Sequence, residues 1–161
     1  MFEYGKGLIL VPEDTPYIIM LPIGDNTFPI YDSAPPCLAS VDPAISAKIV
    51  RIYMRIKGLI TMIKLNNADC QTAYNAGRYA VQNLIGKAIS DGQAIDEDGA
   101  RRINEYHDFY IEQEAKQLGM GGTANGLKFM TSELGELLVS IQQDIDKLTS
   151  SPYQVKTLYR H

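Results

Sequence analysis

Apolar residues recur with the period of an α-helix near the C-terminal end of the chain. They form one stripe over residues 127–148: Leu127, Met130, Leu134, Leu137, Leu138, Ile141, Ile145 and Leu148. A one-sided helix of this length is stable in water only when its stripe packs against other helices. The pattern therefore predicts a helical bundle in which this helix is the internal spine.

Two further helices are predicted in the middle of the chain. Asp42, an N-cap residue, precedes Pro43, and the helical pattern continues from there to about Leu65. A second helical pattern covers residues 70–90. Asn and Asp are common at turns and caps, so residues 66–69 are predicted to be the turn that joins the two helices.

A third helix is predicted after the acidic residues 96–98, and it should end at Gly119. The glycine-rich residues 119–126 are then expected to be a flexible joint to the spine helix, which Pro152 terminates. The connections between successive helices are short, which favours antiparallel neighbours. The fold class is therefore mainly α, with four helices in an up-down bundle.

The N-terminal part of the chain has a different pattern. Three short apolar runs at residues 8–11, 17–21 and 28–31 are separated by turn residues, and they predict a small β hairpin or arm. Prolines at or inside these runs remove hydrogen-bond donors, so the strands should be edge strands. The proline-rich residues 32–41 are expected to be a stiff linker to the bundle.

The predicted organisation has three parts. Residues 1–41 are the β arm and linker, residues 42–151 are the helical bundle, and residues 152–161 are a C-terminal tail. The tail contains Tyr153 and Tyr159. A solvated tail seldom contains two tyrosines, which indicates that this tail docks on another surface.

Composition places the chain among ordinary globular proteins. Of 161 residues, 45% are hydrophobic and 21% are charged, and the net charge is −4, which is atypical of a general nucleic-acid binder. Cys37 and Cys70 have no metal-site spacing and are expected to be reduced thiols. We expect no secretory signal, because a basic segment followed by an apolar run is missing, and no membrane span, because charges interrupt the apolar helices. The expected location is the cytoplasm or a particle assembled there.

Charge is unevenly distributed between the predicted helices. The first helix contains five basic residues and no acidic residue after its cap: Lys48, Arg51, Arg55, Lys57 and Lys64. Residues 93–120, which include the third helix, have a net charge of −4. Opposite charges on two helices favour one arrangement within the bundle or one contact between subunits. The sequence leaves both interpretations open.

Common catalytic and cofactor sites are not indicated. The glycines of residues 119–126 lack the preceding strand that nucleotide-binding loops need, so no cofactor is expected. A di-metal helical bundle needs paired Glu-x-x-His motifs, and His107 has Asn104 three positions before it, so no metal is expected. A nucleophilic triad would need His107 beside a cysteine, and no local motif supports that pairing.

Residues 102–107 read Arg-Ile-Asn-Glu-Tyr-His, with four residues between Arg102 and His107. This hexapeptide resembles the Arg-x4-His motif of HEPN ribonucleases, which are α-helical bundles of roughly this length. In that family the two residues meet across a dimer, and RNA is cut without metal when the 2′-hydroxyl attacks the adjacent phosphate. The resemblance implies that Arg102 stabilises phosphate charge and His107 acts as acid or base. The other interpretation is that His107 packs between Ile103 and Ile111 while Arg102 faces water.

The pattern as a whole favours a non-enzymatic structural or assembly subunit of a homo-oligomeric complex, such as a component of a viral or phage particle. The arm and the tail would bind neighbouring subunits through four tyrosines: Tyr17, Tyr31, Tyr153 and Tyr159. Lys48, Arg51 and Arg55 are a second candidate binding set, although nucleic acid is not the favoured partner. The alternatives are a metal-independent HEPN-like ribonuclease and an adaptor or immunity-type protein that binds one basic partner.

Overall fold

The computed structural model describes residues 7–24 and 41–149. Three long helices contain most of these residues: α1 (Pro43–Ser90, 48 residues), α2 (Glu97–Gln117, 21 residues) and α3 (Met120–Thr149, 30 residues). A single helical turn covers residues 7–10, and the described ranges contain no strand. The prediction of a mainly α protein is confirmed.

The first two predicted helices are one continuous helix, so the predicted turn at residues 66–69 is wrong. Asparagine interrupts a helix when its side chain competes for nearby backbone groups. In α1 the amides of Asn66 and Asn67 instead donate to the carbonyl oxygens of Ile19 and Leu21, which lie outside the helix. The backbone of α1 therefore keeps its own hydrogen bonds, and the described chain has three long helices where four were predicted.

The helix ends that were predicted from capping residues are confirmed. At the start of α1, the carboxylate of Asp42 accepts a hydrogen bond from the backbone N–H of Ala44 at 2.8 Å. At the start of α2, the carboxylate of Asp96 accepts one from Gly99 at 2.7 Å. Gly119 follows α2 with φ of +72°, a left-handed conformation that glycine adopts without steric cost.

The prediction of a flexible joint over residues 119–126 is wrong, because α3 includes all but the first of these residues. Two of the glycines permit close packing instead. A Cβ atom at Gly121 would collide with the backbone carbonyl group of Asp14. A Cβ atom at Gly126 would lie 2.7 Å from the terminal methyl group of Met62. These contacts outweigh the modest cost of glycine in a helix.

The predicted strands at residues 8–11 and 17–21 are also wrong. The first run begins with the helical turn at residues 7–10, and the second lies in a stretch without regular secondary structure. A strand needs a neighbouring strand to bond its backbone groups. Here side chains of α1 bond the backbone of residues 17–21, so no hairpin partner is required.

Several predictions fall on residues that the structure does not describe. The strand predicted at residues 28–31 and the tail at residues 152–161 lie outside the described residues, and so does nearly all of the linker predicted at residues 32–41. The domain boundaries that we placed near residues 41 and 151 stay predictions.

The chain divides into two compact units, and each contains parts of α1 and α3. The described part of unit 1 is residues 7–22 and 62–128. Its core joins α1, α2 and the start of α3, with Ile18 of the N-terminal segment packed against it: Cys70, Ala73, Ile111, Ala115 and Met120. The α1 and α2 backbones come close at Gly77, where a Cβ atom would lie 3.0 Å from the carbonyl oxygen of His107.

The described part of unit 2 is residues 23–24, 41–61 and 129–149. Ion pairs join Lys48 to Asp144 and Arg55 to Glu133. The residue number rises along α1 while that of its partner falls along α3, so the two helices are antiparallel in this unit. Among the described residues of unit 2, Ile45 is the one buried apolar side chain.

Candidate functional site

One face of α1 binds the backbone of the N-terminal segment, residues 15–24. Four side chains at positions i, i+1, i+4 and i+8 contribute to this backbone-binding face: Asn66, Asn67, Cys70 and Tyr74. The partners in the segment are the carbonyl oxygens of Ile19, Leu21, Tyr17 and Ile18, in that order. The segment passes α1 in the opposite direction, because later residues of the segment bond earlier turns of the helix.

Asn67 makes the most specific of these contacts. Its Nδ2 donates to the carbonyl oxygen of Leu21 at 2.7 Å, and its Oδ1 accepts from the N–H of Leu21 at 2.8 Å. A carboxamide presents the same donor and acceptor as a peptide group, so Asn67 replaces the partner that a neighbouring strand would supply. Asn67 therefore binds the backbone of the segment, and this contact does not depend on which side chain residue 21 carries.

The centre of the backbone-binding face is buried. Asn66 and Cys70 are fully buried, and Nδ2 of Asn66 donates to Ile19 at 3.0 Å. Burial, followed by the negative charge of Asp69, raises the pKa of the Cys70 thiol to about 11, so the thiol is neutral at neutral pH. Oδ1 of Asn66 has no hydrogen-bond partner among the described residues.

The helical turn and loop that precede the segment are attached to α3 within unit 1. Nδ2 of Asn125 donates to the carboxylate of Asp14 at 2.8 Å, and its Oδ1 accepts from the N–H of Asp14 at 3.3 Å. Lys128 donates to the carbonyl oxygen of Val11. Asp14 has φ of +57°, which the Asn125 contacts support. Asn125 is thus a third asparagine, after Asn66 and Asn67, that holds the N-terminal residues.

Two of the three predicted basic binding residues already have partners. Lys48 pairs with Asp144 and donates to Ser140 at 2.8 Å, and Arg55 lies 2.9 Å from Glu133. These acids belong to α3 and not to α2, the acidic helix that the sequence offered as a counterpart within the bundle or between subunits. Arg51 is exposed and makes no hydrogen bond or ion pair to any described residue.

The tyrosines predicted to bind neighbours have different positions. Tyr17 is only 3% exposed, and its hydroxyl lies 3.2 Å from the position that a Cβ atom at Gly7 would occupy. Tyr17 therefore packs inside unit 1 and is not available on the surface of the described chain. Tyr31, Tyr153 and Tyr159 lie outside the described residues.

The predicted ribonuclease pair is split between two environments on α2. His107 is half-buried, and a Cβ atom at Gly77 would lie 3.1 Å from its ring. Arg102 is exposed and has no hydrogen-bond or ion-pair partner among the described residues. The two positions correspond to the structural interpretation of this hexapeptide. HEPN-like cleavage, for which the family brings residues together across a dimer, stays a prediction.

His107 also lines an open pocket of about 380 Å³ within unit 1, together with five residues of α1: Gln71, Tyr74, Asn75, Arg78 and Val81. Arg78 donates to the Oδ1 of Asn75 at 2.6 Å. The arginine that lines this pocket with His107 is therefore Arg78 of α1. The pocket shares Tyr74 with the backbone-binding face.

No cluster of three or more His, Cys, Asp or Glu side chains capable of holding a metal ion occurs in residues 7–24 and 41–149. In the same ranges, no helix has both the length and the apolar character needed to cross a membrane. No protein-family model, curated protein or solved structure matches the chain.

Sequence reasoning missed the backbone-binding face. Its signal is the pair Asn66-Asn67 inside a long helical pattern that contains no glycine or proline at that point. Asn125 is a similar case, since it lies in the first turns of α3. Asparagines that do not end a helix need hydrogen-bond partners elsewhere, and both sites find them in the N-terminal residues.

Proposed function

We propose that the chain is a non-enzymatic structural subunit of a homo-oligomeric complex, and that unit 2 forms the contact between copies. One observation carries the proposal: unit 2 has many apolar side chains on α1 and α3, yet Ile45 alone is buried among its described residues. A protein core normally buries such side chains almost completely. A second copy would provide the missing cover.

The apolar side chains of unit 2 are aligned. On α1 they follow the helical period: Ile45, Ile49, Ile52, Ile56 and Leu59. On α3 they do the same: Leu134, Leu138, Ile141, Ile145 and Leu148. On each helix, the apolar stripe is rotated by about a quarter turn, in the same sense, from the side that carries the ion pairs. Because the two helices are antiparallel, both stripes therefore lie on the same side of the helix pair. We call them the apolar face of unit 2.

The exposed fractions support a further contact on this face. Leu138, Ile145 and Leu148 remain 48%, 42% and 38% exposed. Two helices alone cannot enclose a core, whereas four can. Two copies related by a twofold axis would place two apolar faces together and complete an up-down four-helix bundle. The bundle that we predicted within one chain would then form between chains, as in a building block of a larger particle.

The proposal is tested by light scattering over a range of protein concentrations. We expect a dimer or larger oligomer that dissociates on dilution. Leu138→Lys should shift the protein toward monomer, because it places a charge in the apolar face. Val139→Lys is the matched control, since Val139 is 60% exposed and lies on the outer side of α3. A strict monomer at high concentration would overturn the proposal.

A further inference from the structure

The docking of the N-terminal segment does not depend on which copy of the chain supplies it. Asn67 bonds the N–H and the carbonyl oxygen of Leu21, and Tyr74 donates to the carbonyl oxygen of Ile18 at 3.2 Å. Every copy carries the same segment, so the segment of a neighbouring copy would make the same hydrogen bonds. The backbone-binding face cannot discriminate between the two sources.

The connection between the segment and α1 is long. Residues 25–40 separate the described residue Gly24 from Val41. A chain of this length reaches at most about 55 Å when fully extended. A connection of this length does not confine the segment to the α1 helix of its own chain.

The face needs an occupant in every copy. Tyr17 of the segment is 3% exposed, and the side chains of Asn66 and Cys70 are fully buried under it. Without a docked segment these groups would face water, and the core of unit 1 would lose the packing of Ile18. An empty face is therefore unfavourable, whereas a face filled by either copy buries the same groups.

We infer that neighbouring subunits exchange their N-terminal segments, so that residues 15–24 of one copy dock on the backbone-binding face of a second copy. The inference rests on the proposed homo-oligomer. Within one chain, the connection gives the segment a high effective concentration at its own face. Assembly gives a neighbour's segment a comparable effective concentration, and exchange then costs little because the contacts are the same.

Isotope mixing combined with photo-crosslinking tests the exchange in the full chain. One copy is labelled with ¹⁵N and carries p-benzoylphenylalanine in place of Tyr74, and the other copy is unlabelled wild type. The two are mixed in denaturant, refolded together, irradiated and digested. Mass spectrometry then identifies whether the peptide that contains residues 17–21, crosslinked to position 74, is labelled or unlabelled.

Exchange predicts that about half of these crosslinks join labelled to unlabelled peptide in an equal mixture of the two copies. The same photoreactive group in place of Tyr79 measures crosslinking by random collision, because Tyr79 is 62% exposed and makes no hydrogen bond to the described residues of the segment. The exchange is overturned if the crosslinks at position 74 join only labelled peptides. It is also overturned if crosslinks between labelled and unlabelled peptides are no more frequent at position 74 than at position 79.

Light scattering on the same refolded sample separates this inference from the proposed function. If the protein is an oligomer but all crosslinks lie within one chain, the proposed assembly stands and the exchange is rejected. A monomer rejects both. In the oligomer, Asn67→Ala should lower the mixed crosslinks several-fold, whereas Gln71→Ala, one turn away on an exposed position, should leave them unchanged.

Discussion

The two units use the same long helices but bury their apolar side chains to very different extents. Among the described residues, all the buried apolar side chains except Ile45 belong to unit 1. Unit 1 has a third layer, because α2 and the N-terminal segment both pack on α1. The described part of unit 2 contains α1 and α3 with no such layer. A pair of helices needs a further element before its core can close.

The polar contacts differ in the same way. In unit 1, asparagine side chains of α1 and α3 bond the backbone of N-terminal residues that are distant in sequence. Unit 2 is joined by ion pairs that are about one-third exposed. Partly exposed ion pairs contribute little to stability but fix the register and direction of two helices. The contacts of unit 1 therefore stabilise the fold. Those of unit 2 orient α1 and α3 and leave its apolar face partly exposed.

The largest expected difference comes from shortening a leucine in each unit. Leu127→Ala should lower the free energy of unfolding by about 2–5 kcal/mol, because Leu127 is 1% exposed and its removal leaves a cavity. Leu138→Ala should lower it by less than about 1 kcal/mol in the monomer, because Leu138 is 48% exposed. Urea unfolding at low protein concentration measures both values. Equal losses would show that the two units are packed to the same extent.

Replacing a helical glycine in each unit should give effects of opposite sign. Gly121→Ala should lower the free energy of unfolding by about 1–3 kcal/mol, because its Cβ atom would collide with the backbone of Asp14. Gly135→Ala should raise it by about 0.5–1 kcal/mol, since nothing lies within 4 Å and alanine is the better helix former. Thermal unfolding of the two variants measures the difference. Stabilisation by Gly121→Ala would mean that the N-terminal residues do not lie against α3.

The smallest expected effect concerns pH and the ion pair of unit 2. The hydrogen bond from Lys48, with its positive charge, lowers the pKa of Asp144 in the folded protein. A lowered pKa stabilises the fold above the unfolded-state pKa of aspartate, and this contribution is lost as pH falls through the folded-state value. Lys48→Gln should therefore reduce the unfolding temperature at neutral pH and have little effect in acid.

Lys147→Gln is the control for this pH series. Its Nζ lies 3.8 Å from Asp144, but the side chain is 78% exposed, so the change in unfolding temperature should be smaller than for Lys48→Gln. A difference between wild type and Lys48→Gln that stays constant from neutral to acid pH would contradict the assigned role of the ion pair. It would leave the packing of unit 1 untouched.

The parts of the fold that sequence predicts are those with local signals. Asp42 and Asp96 each accept a hydrogen bond from a backbone N–H within the next three residues, so the starts of α1 and α2 can be located from a few letters. Gly119 ends α2 for an equally local reason, its left-handed backbone. The helical period of the apolar residues likewise depends only on near neighbours.

The incorrect predictions share a different cause. Asn66 and Asn67 have the composition of a turn, but their partners lie about 46 residues earlier in the chain, which local patterns cannot detect. Gly121 belongs to a glycine-rich stretch that is typical of a flexible joint, but it lies in a helix and lets the backbone of Asp14 pack closely against that helix. The apolar run at residues 17–21 has the composition of a strand, but a helix and not a strand binds its backbone.

The candidate site follows the same division. Sequence identified Lys48 and Arg55 as notable because their charges are segregated on one helix, and it identified Arg102 and His107 from their spacing. It could not assign Glu133 and Asp144 as the partners of the basic residues, because that pairing depends on how two distant helices are aligned. It also gave no reason to place Arg78 near His107.

Sequence alone determined that this protein is mainly helical, where α1 begins, where α2 begins and ends, and which residues form the apolar stripe of α3. Each of these features depends on hydrogen bonds or periodicity within a few residues. Tertiary structure decided that α1 passes through Asn66-Asn67 without a break, that the N-terminal segment docks on it, and that the stripe is buried at Leu127 but exposed at Leu138. These outcomes depend on which distant groups hydrogen-bond or cover a given side chain, and only the folded chain brings those groups together.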